Sequence, residues 1–229
     1  MSFIEVLLYA INNYVNITYL KIVDIGGSIL VFTFASYFGM TISWCIGEPK
    51  NKTLAKSMYY NDIFSIIGTL FLFIYWPSYN AYYAQRDYYF MERAFLNTTL
   101  SITSSVVTTF IMSKSFDGKF NIMHIQNAVL AGGVAVGASA DLYIHPGGAM
   151  TTGIVSSALC IVGFEFIQPL IEKLLNIHDT CGIHNTFGLT GILGGIISCI
   201  AIGSAVNTNI YQGNALNKFP NNDLTTQAG

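Results

Sequence analysis

Long apolar stretches alternate with short polar connections along most of this chain. A bilayer core about 30 Å thick requires about 20 apolar residues in a helix. Six stretches come close to or exceed this length: Ile22–Ile46, Tyr59–Tyr83, Phe95–Met112, Ile122–Ile144, Gly147–Leu170 and Thr180–Ala205. Each is predicted to be a membrane-spanning helix, so the pattern predicts an all-α polytopic membrane protein.

The ends of the chain differ from this pattern. An apolar segment, Phe3–Leu20, precedes the first span but contains Asn12, Asn13 and Asn16, which predicts either the tail of an earlier span or an outer loop. The joins between spans are short, which predicts that residues 1–205 form a single helix bundle. Residues 206–229 are polar and are predicted to form a loop or tail. Helix faces rich in glycine and polar groups need protein around them in a bilayer, which predicts a partial chain.

Two segments, Asp24–Phe32 and Asp179–Phe187, share one plan: an aspartate, a helix start and a phenylalanine eight residues later. Because they belong to the first and sixth spans, they are predicted to run in opposite directions through the membrane. An inverted repeat of this kind is typical of transporters and channels. Each aspartate could cap the first backbone N–H groups of its helix or serve as an ionisable group near a pore. The two roles are compatible, and capping is favoured as the main one.

Composition and charge narrow the class further. The chain is 52% hydrophobic and only 10% charged, whereas soluble domains carry about 25% charged residues. Its net charge of −2 provides no basic field for nucleic acid. Lysine and arginine are more frequent in the first, third and fifth joins, six against four, which favours a cytoplasmic Gly47–Met58 loop.

The reactive side chains give no sign of catalysis. The histidines His124, His145, His178 and His184 have no partner cluster with metal-ligand spacing, so they are predicted to be satisfied near helix ends, without metal or cofactor. No nucleophile, base and orienting group recur at a plausible spacing, which argues against an enzyme. The four cysteines, at 45, 160, 181 and 199, are predicted to be small buried side chains. Glycine and alanine, dense over residues 131–140, predict close helix packing.

Four strings in this chain resemble the Rh glycoproteins of the ammonium transporter/Rh superfamily. They are DIGGSILVFTFASYFG, YYNDIFSIIGTLFLFIYWPSYN, MHIQNAVLAGGVAVGASADLYIHPGGAM and NIHDTCGIHNTFGLTGILGG, which together extend over Val23–Gly195. The resemblance implies an Rh-type helix bundle with two inverted halves and about six of the family's eleven or twelve transmembrane helices. Residues 206–229 would then lead to a missing final helix.

The resemblance also implies a function and an assembly. An Rh-type protein is expected to conduct ammonium or ammonia through a narrow apolar pore in each subunit of a homo- or hetero-trimer. Its expected location is the plasma membrane or an internal vacuolar membrane. Asp24 and Asp179 match the family's symmetry-related aspartates, Tyr79 matches the phenylalanine that gates the outer mouth, and Asp62 matches an acidic residue of the inner vestibule.

One departure from the family pattern affects the pore centre. Phe32 and Phe187 stand where the family has its twin histidines. An imidazole pair can hydrogen-bond ammonia and carry a proton, whereas a benzyl side chain can do neither, and two such rings could seal a pore. The replacement argues against efficient ammonium-coupled transport. A non-conducting structural subunit, assembled with other Rh chains, and a channel for another neutral gas such as carbon dioxide remain as alternatives.

Overall fold

The computed structural model describes residues 2–47, 59–84 and 88–208. This part of the chain contains helices, turns and irregular connections but no strand. The α-helices are α1 Ser2–Asn13, α2 Phe34–Ile46, α3 Tyr59–Tyr83, α4 Tyr88–Asp117, α5 Ile122–Val136, α6 Pro146–Val162, α7 Gln168–Leu175 and α8 Leu189–Thr208.

Several helices are extended by segments of different winding. Widened π-helical turns form Tyr14–Tyr19 after α1, Ser28–Thr33 before α2, Gly163–Ile167 between α6 and α7, and His184–Gly188 before α8. A 3₁₀ turn, Gly137–Ser139, ends α5. With these segments included, the described residues hold six helices of membrane-spanning length and composition, which confirms the predicted number: Ser28–Ile46, Tyr60–Tyr83, Tyr88–Phe116, Ile122–Ser139, Pro146–Leu175 and His184–Ser204.

Five of the predicted spans have a wrong boundary, including the fifth, whose helix extends to Leu175 beyond the predicted Leu170. The first and sixth helices begin at Ser28 and His184, later than predicted, because a turn that follows the capping aspartate precedes each of them. The fourth helix ends at Ser139, and tight turns carry the chain through Leu142 and Ile144. The third helix, Tyr88–Phe116, is longer than its apolar centre because polar residues at its ends continue the helix. Hydropathy detects burial in lipid and does not detect where the backbone leaves the helix.

The N-terminal segment is helical, so the loop alternative for Phe3–Leu20 is wrong. Its asparagines support the helix instead of interrupting it. The Asn16 side-chain amide donates to the Asn12 carbonyl at 2.8 Å, and the Asn12 amide donates to the Leu30 carbonyl at 2.9 Å. The second bond ties the segment to the first spanning helix.

The bundle is packed most closely where α4, α5 and α6 meet. Ser101 donates to the Gly132 carbonyl at 2.8 Å, and Ser105 donates to the Gly153 carbonyl at 3.0 Å. A Cβ atom added at Gly153 would collide with the Ser101 carbonyl and the Ser104 hydroxyl. The small residues therefore permit backbone contact, as predicted.

Other predictions have mixed outcomes. Cys160 is buried, but Cys45, Cys181 and Cys199 are exposed, so the predicted burial is right for only one cysteine. Their surfaces lie on outer helix faces or connections, where an apolar side chain needs no protein cover in a bilayer. The Gly47–Met58 loop beyond Gly47 and the polar tail beyond Thr208 lie outside the described residues.

Candidate pore centre

The two repeat segments lie side by side in antiparallel orientation. The Ser36 hydroxyl donates to the Ile183 carbonyl at 3.0 Å, and the Ser43 hydroxyl donates to the His178 carbonyl at 2.8 Å. As the residue number increases along the first segment, the number of its contacting residue in the second segment decreases, so the two segments run in opposite directions. We call the two ends of this crossing the Asp24 end and the Asp179 end.

Asp24 caps the start of its helix. One carboxylate oxygen accepts from the Ser28 N–H at 2.8 Å, and the other accepts from the Ile29 and Leu30 N–H groups at 2.7 and 2.8 Å. The chain turns toward these bonds at Gly27, whose φ of 73° favours glycine. An anion is also stabilised by the dipole at a helix N-terminus. The predicted capping role is confirmed.

Asp179 caps the second repeat in the same way. Its carboxylate accepts from the Ile183 N–H at 3.0 Å and the His184 N–H at 2.8 Å. The Gln168 side chain fixes the surrounding loop, because its amide donates to the Asp179 carbonyl at 2.6 Å and its oxygen accepts from the Asn185 amide at 2.9 Å. The C-terminal part of the fifth spanning helix therefore positions this cap.

The crossing point is occupied by Phe32 and Phe187. Their rings are stacked, with centroids 5.6 Å apart and planes inclined by 19°. Trp76 of α3 lies against Phe32 at 5.4 Å, and both phenylalanines pack on a buried apolar cluster that includes Ile102 and Val134. The structure thus brings together the two side chains that the sequence assigned to one place. Their effect on conduction stays a prediction.

Tyr79 and Asp62 lie at opposite ends of α3. The Tyr79 hydroxyl approaches Gly27 at the Asp24 end, and its ring meets Tyr83 edge to face at 5.2 Å. Asp62 is half-buried in the first turn of the same helix, more than four helical turns away. Of the predicted site residues, Tyr79 therefore lies near a repeat aspartate and Asp62 does not.

A cavity of about 210 Å³ opens at the Asp24 end. Its lining includes Asp24, Tyr83, Phe90 and the buried carboxylate Asp141. The site residues predicted from the sequence do not include Asp141 and Trp76. The signal for Asp141 was an acidic residue among small residues at a helix end, whereas nothing local distinguishes Trp76 from other apolar aromatic residues.

Two of the histidines lie beside a glutamate, and His184 contacts an aromatic ring. His124 lies 3.2 Å from Glu165, and His178 lies 2.9 Å from Glu172, so each has a carboxylate partner. The described residues contain no group of three metal-ligating side chains. His184 instead meets the Tyr37 ring edge to face, with centroids 5.7 Å apart.

This architecture defines a multi-pass α-helical membrane protein with two oppositely oriented, aspartate-capped helices at its centre. A sequence profile of the Ammonium Transporter Family matches residues 2–228. The chain therefore belongs to the ammonium transporter family.

The curated relatives include Rh-type members of that family. The chain is 38% identical to ammonium transporter Rh type C of Xenopus laevis, covering 96% of this chain and 47% of that protein. It is 40% identical to ammonium transporter Rh type B of Bos taurus, covering 90% of this chain and 46% of that protein. The chain thus spans about half the length of these relatives.

Solved structures support the same fold. Rh50 of Nitrosomonas europaea, described as one of the Rhesus protein family of channels, matches with a TM-score of 0.73 and 30% identity, over 96% of this chain and 56% of that chain. Mep2 of Saccharomyces cerevisiae matches with a TM-score of 0.66 over 80% of this chain and 40% of that chain. Its 19% identity supports the fold alone.

Proposed function

We propose that the complete protein is an Rh-type membrane transporter for ammonium or ammonia, with a channel-like pore. The antiparallel crossing of two aspartate-capped helices at Phe32 and Phe187 carries this proposal. Similarity to proteins named Rh type B and type C ammonium transporters supports the substrate class. An assembly into homo- or hetero-trimers with Rh-type subunits in a lipid bilayer is part of the proposal.

The proposed pore residues have distinct tasks. Asp24 and Asp179 hold the two helix starts in place, since their carboxylates are occupied by backbone N–H groups. Tyr79 lines the mouth at the Asp24 end, where its ring narrows the passage and its hydroxyl offers a hydrogen bond. Asp62 contributes negative charge to the opposite vestibule, which favours the arrival of a cation.

Phe32 and Phe187 set the main barrier. The stacked rings offer no hydrogen bond to ammonia and no site for a proton. A neutral molecule would have to displace or pass the rings, because aromatic packing fills the crossing point. Ammonium-coupled flux through this pore is therefore expected to be slow.

The same packing favours a second candidate, a non-conducting subunit that assembles with other Rh-type chains. Trp76 lies against Phe32 at 5.4 Å, so the ring pair is supported from the side and fits a sealed centre. Such a subunit would retain the fold and the caps while contributing an inactive pore to a trimer.

The first experiment measures ammonium flux through the native protein in liposomes loaded with a pH-sensitive dye. We expect the double variant Phe32→His with Phe187→His to increase the initial rate at least tenfold, because two imidazoles restore polar edges at the crossing point. Each single variant should change the rate little. Background flux in both the native protein and the double variant would contradict the transport proposal and favour the non-conducting subunit.

A further inference from the structure

The fourth spanning helix is interrupted by a side chain from the first repeat. In a regular α-helix, the Ala138 N–H would donate to the Val134 carbonyl, four residues earlier. Here the Ser28 hydroxyl donates to the Val134 carbonyl at 2.6 Å and accepts from the Ala138 N–H at 2.7 Å. The hydroxyl thus takes the place of one helical hydrogen bond, and α5 gives way at this point to the 3₁₀ turn Gly137–Ser139.

Ser28 reaches the backbone of α5 because glycines line the contact. The serine is fully buried. A Cβ atom added at Gly137 would stand 2.7 Å from the Ser28 hydroxyl oxygen, and one added at Gly194 would stand 3.1 Å from it. The Gly26 N–H donates to the Gly137 carbonyl at 3.0 Å, so two backbones meet directly beside the hydroxyl. The contact is therefore filled by the hydroxyl itself.

The helix cap at Asp24 does not account for this hydroxyl. The Ser28 N–H donates to the Asp24 carboxylate at 2.8 Å. At the matching position of the second repeat, the Ile183 N–H donates to Asp179 at 3.0 Å. Because an isoleucine completes the second cap, capping needs only the backbone of this residue. The side chain of Ser28 therefore has a separate task, which is its contact with α5.

The break in α5 determines where Asp141 lies. Two residues after the 3₁₀ turn, this buried carboxylate enters the lining of the cavity at the Asp24 end. The Asn97 amide of α4 donates to the carbonyls on both sides of it, Ala140 at 2.8 Å and Leu142 at 3.3 Å. A continued α-helix would turn these carbonyls about the axis of α5 and away from the amide. The position of the carboxylate thus depends on the interruption of the helix.

We propose that Ser28 is a positioning residue for the cavity at the Asp24 end, because its hydroxyl holds the break in α5 that presents Asp141 to this cavity. The inference rests on the proposed function, in which the cavity is one entrance of the pathway, and adds the residue that shapes this entrance. Without the hydroxyl, the buried Ala138 N–H loses its acceptor, which is costly. It regains an acceptor by bonding to the Val134 carbonyl, which re-forms the α-helical turn and displaces Asp141.

Magic-angle-spinning NMR of the protein in liposomes tests both the bond and the position. Glycine labelled with ¹³C at its carbonyl and alanine labelled with ¹⁵N select the two Gly–Ala pairs of the chain, residues 137–138 and 148–149. Gly148→Ser removes the second pair and so assigns the first. Aspartate labelled with ¹³C at its side-chain carboxyl reports on Asp141, whose signal is identified by its absence in Asp141→Asn.

We expect Ser28→Ala to shift both the Ala138 nitrogen signal and the Asp141 carboxyl signal. Ser105→Ala is the matched control and should shift neither, because Ser105 is also buried and donates to a carbonyl of a neighbouring helix at 3.0 Å. An Asp141 signal that stays in place in Ser28→Ala overturns the proposal. If Ser28→Ala does not fold, Ser28→Cys replaces it, since a thiol is only a weak donor and acceptor. Unshifted signals in that variant overturn the proposal equally.

Flux variants separate this proposal from the proposed function. Asp141 adds negative charge to the entrance, which raises the local concentration of a cation. We expect Ser28→Ala and Asp141→Asn each to raise the ammonium concentration at half-maximal flux about threefold. The double variant should show no further rise, because both changes act through one carboxylate. Ser105→Ala should keep the native value.

The two readouts fail independently. Native flux with an unmoved Asp141 signal in Ser28→Ala would refute the positioning role while transport stands. A moved signal without any native flux would refute transport while the positioning role stands. Effects of Ser28→Ala and Asp141→Asn that multiply in the double variant would also contradict the positioning role, because the serine would then act by another route.

Discussion

At the scale of single residues, the two repeat aspartates perform the same task with unequal numbers of bonds. Asp24 accepts three backbone N–H groups, whereas Asp179 accepts two. The Asp179 loop has further support from Gln168, which binds its carbonyl. The Asp24 cap therefore depends more on its carboxylate than the Asp179 cap does.

Removal of these carboxylates should have graded effects. We expect Asp24→Ala to destabilise the protein by about 2 kcal/mol, at the upper end of measured caps, because three N–H groups lose their acceptor. This corresponds to a fall in Tm of about 4–8 °C in a protein of this size. Asp179→Ala should cost less.

Thermal unfolding in detergent, followed by the loss of the folded chromatographic peak, measures both changes. Glu5→Ala is the matched control, since Glu5 is an exposed acidic residue in the first turn of α1. An Asp24→Ala variant with the melting temperature of this control would contradict the capping argument.

At the scale of helices, glycine position decides how closely two backbones approach. Gly153 of α6 faces the backbone of α4, where a Cβ atom would collide with Ser101 and Ser104. Gly68 of α3 has no atom within 4 Å of the place where its Cβ would stand. The two glycines have the same chemistry but different surroundings.

Alanine substitution should therefore act in opposite directions at these positions. We expect Gly153→Ala to destabilise the protein by about 1–3 kcal/mol through overpacking. Gly68→Ala should be neutral or stabilise it by up to about 1 kcal/mol, because alanine favours a helix. Melting temperatures of the two variants, measured side by side, check this contrast, and equal losses would contradict it.

Sequence patterns predicted the helices better than their ends. The six spans follow from hydropathy, because lipid imposes a length on any apolar helix. The caps follow from the Asp24 and Asp179 motifs, because capping is a local interaction. The stacking of Phe32 on Phe187 required the family resemblance, since residues 155 positions apart meet only through tertiary packing. The burial of His184 beside Tyr37 had no local signal, because burial depends on the neighbouring helices.

At the scale of the whole molecule, the antiparallel crossing fixes which segments share an end of the bundle. The bond between Ser43 and the His178 carbonyl places the C-terminus of α2 beside the loop before α8. Cys45 and Cys181 are exposed near these two points. Leu20 is exposed next to the opposite end of the first spanning helix.

This arrangement predicts the sidedness of chemical labelling. A membrane-impermeant maleimide should modify Cys45 and Cys181 from the same face of sealed vesicles. In a variant in which Cys45 and Cys181 are replaced by serine, the thiol introduced by the substitution Leu20→Cys should react only from the opposite face. Buried Cys160 should stay unmodified in both proteins.

Mass spectrometry of vesicles of each orientation identifies the labelled sites. Serine at positions 45 and 181 without the Leu20 substitution is the control for background reaction. Labelling of Cys45 and Cys181 from different faces would contradict the antiparallel arrangement.

Ile29 and His184 occupy equivalent positions in the two repeats, five residues after Asp24 and Asp179. Because one is apolar and the other polar, the two approaches to the crossing are chemically unequal. A passive pathway obeys detailed balance, so this inequality cannot create a pump or set the direction of net flow. In the proposed pathway it would change how the rate saturates as concentration rises on each face, because an imidazole borders only the Asp179 approach. Opposed gradients of equal size would therefore drive unequal currents at high concentration and equal currents at low concentration.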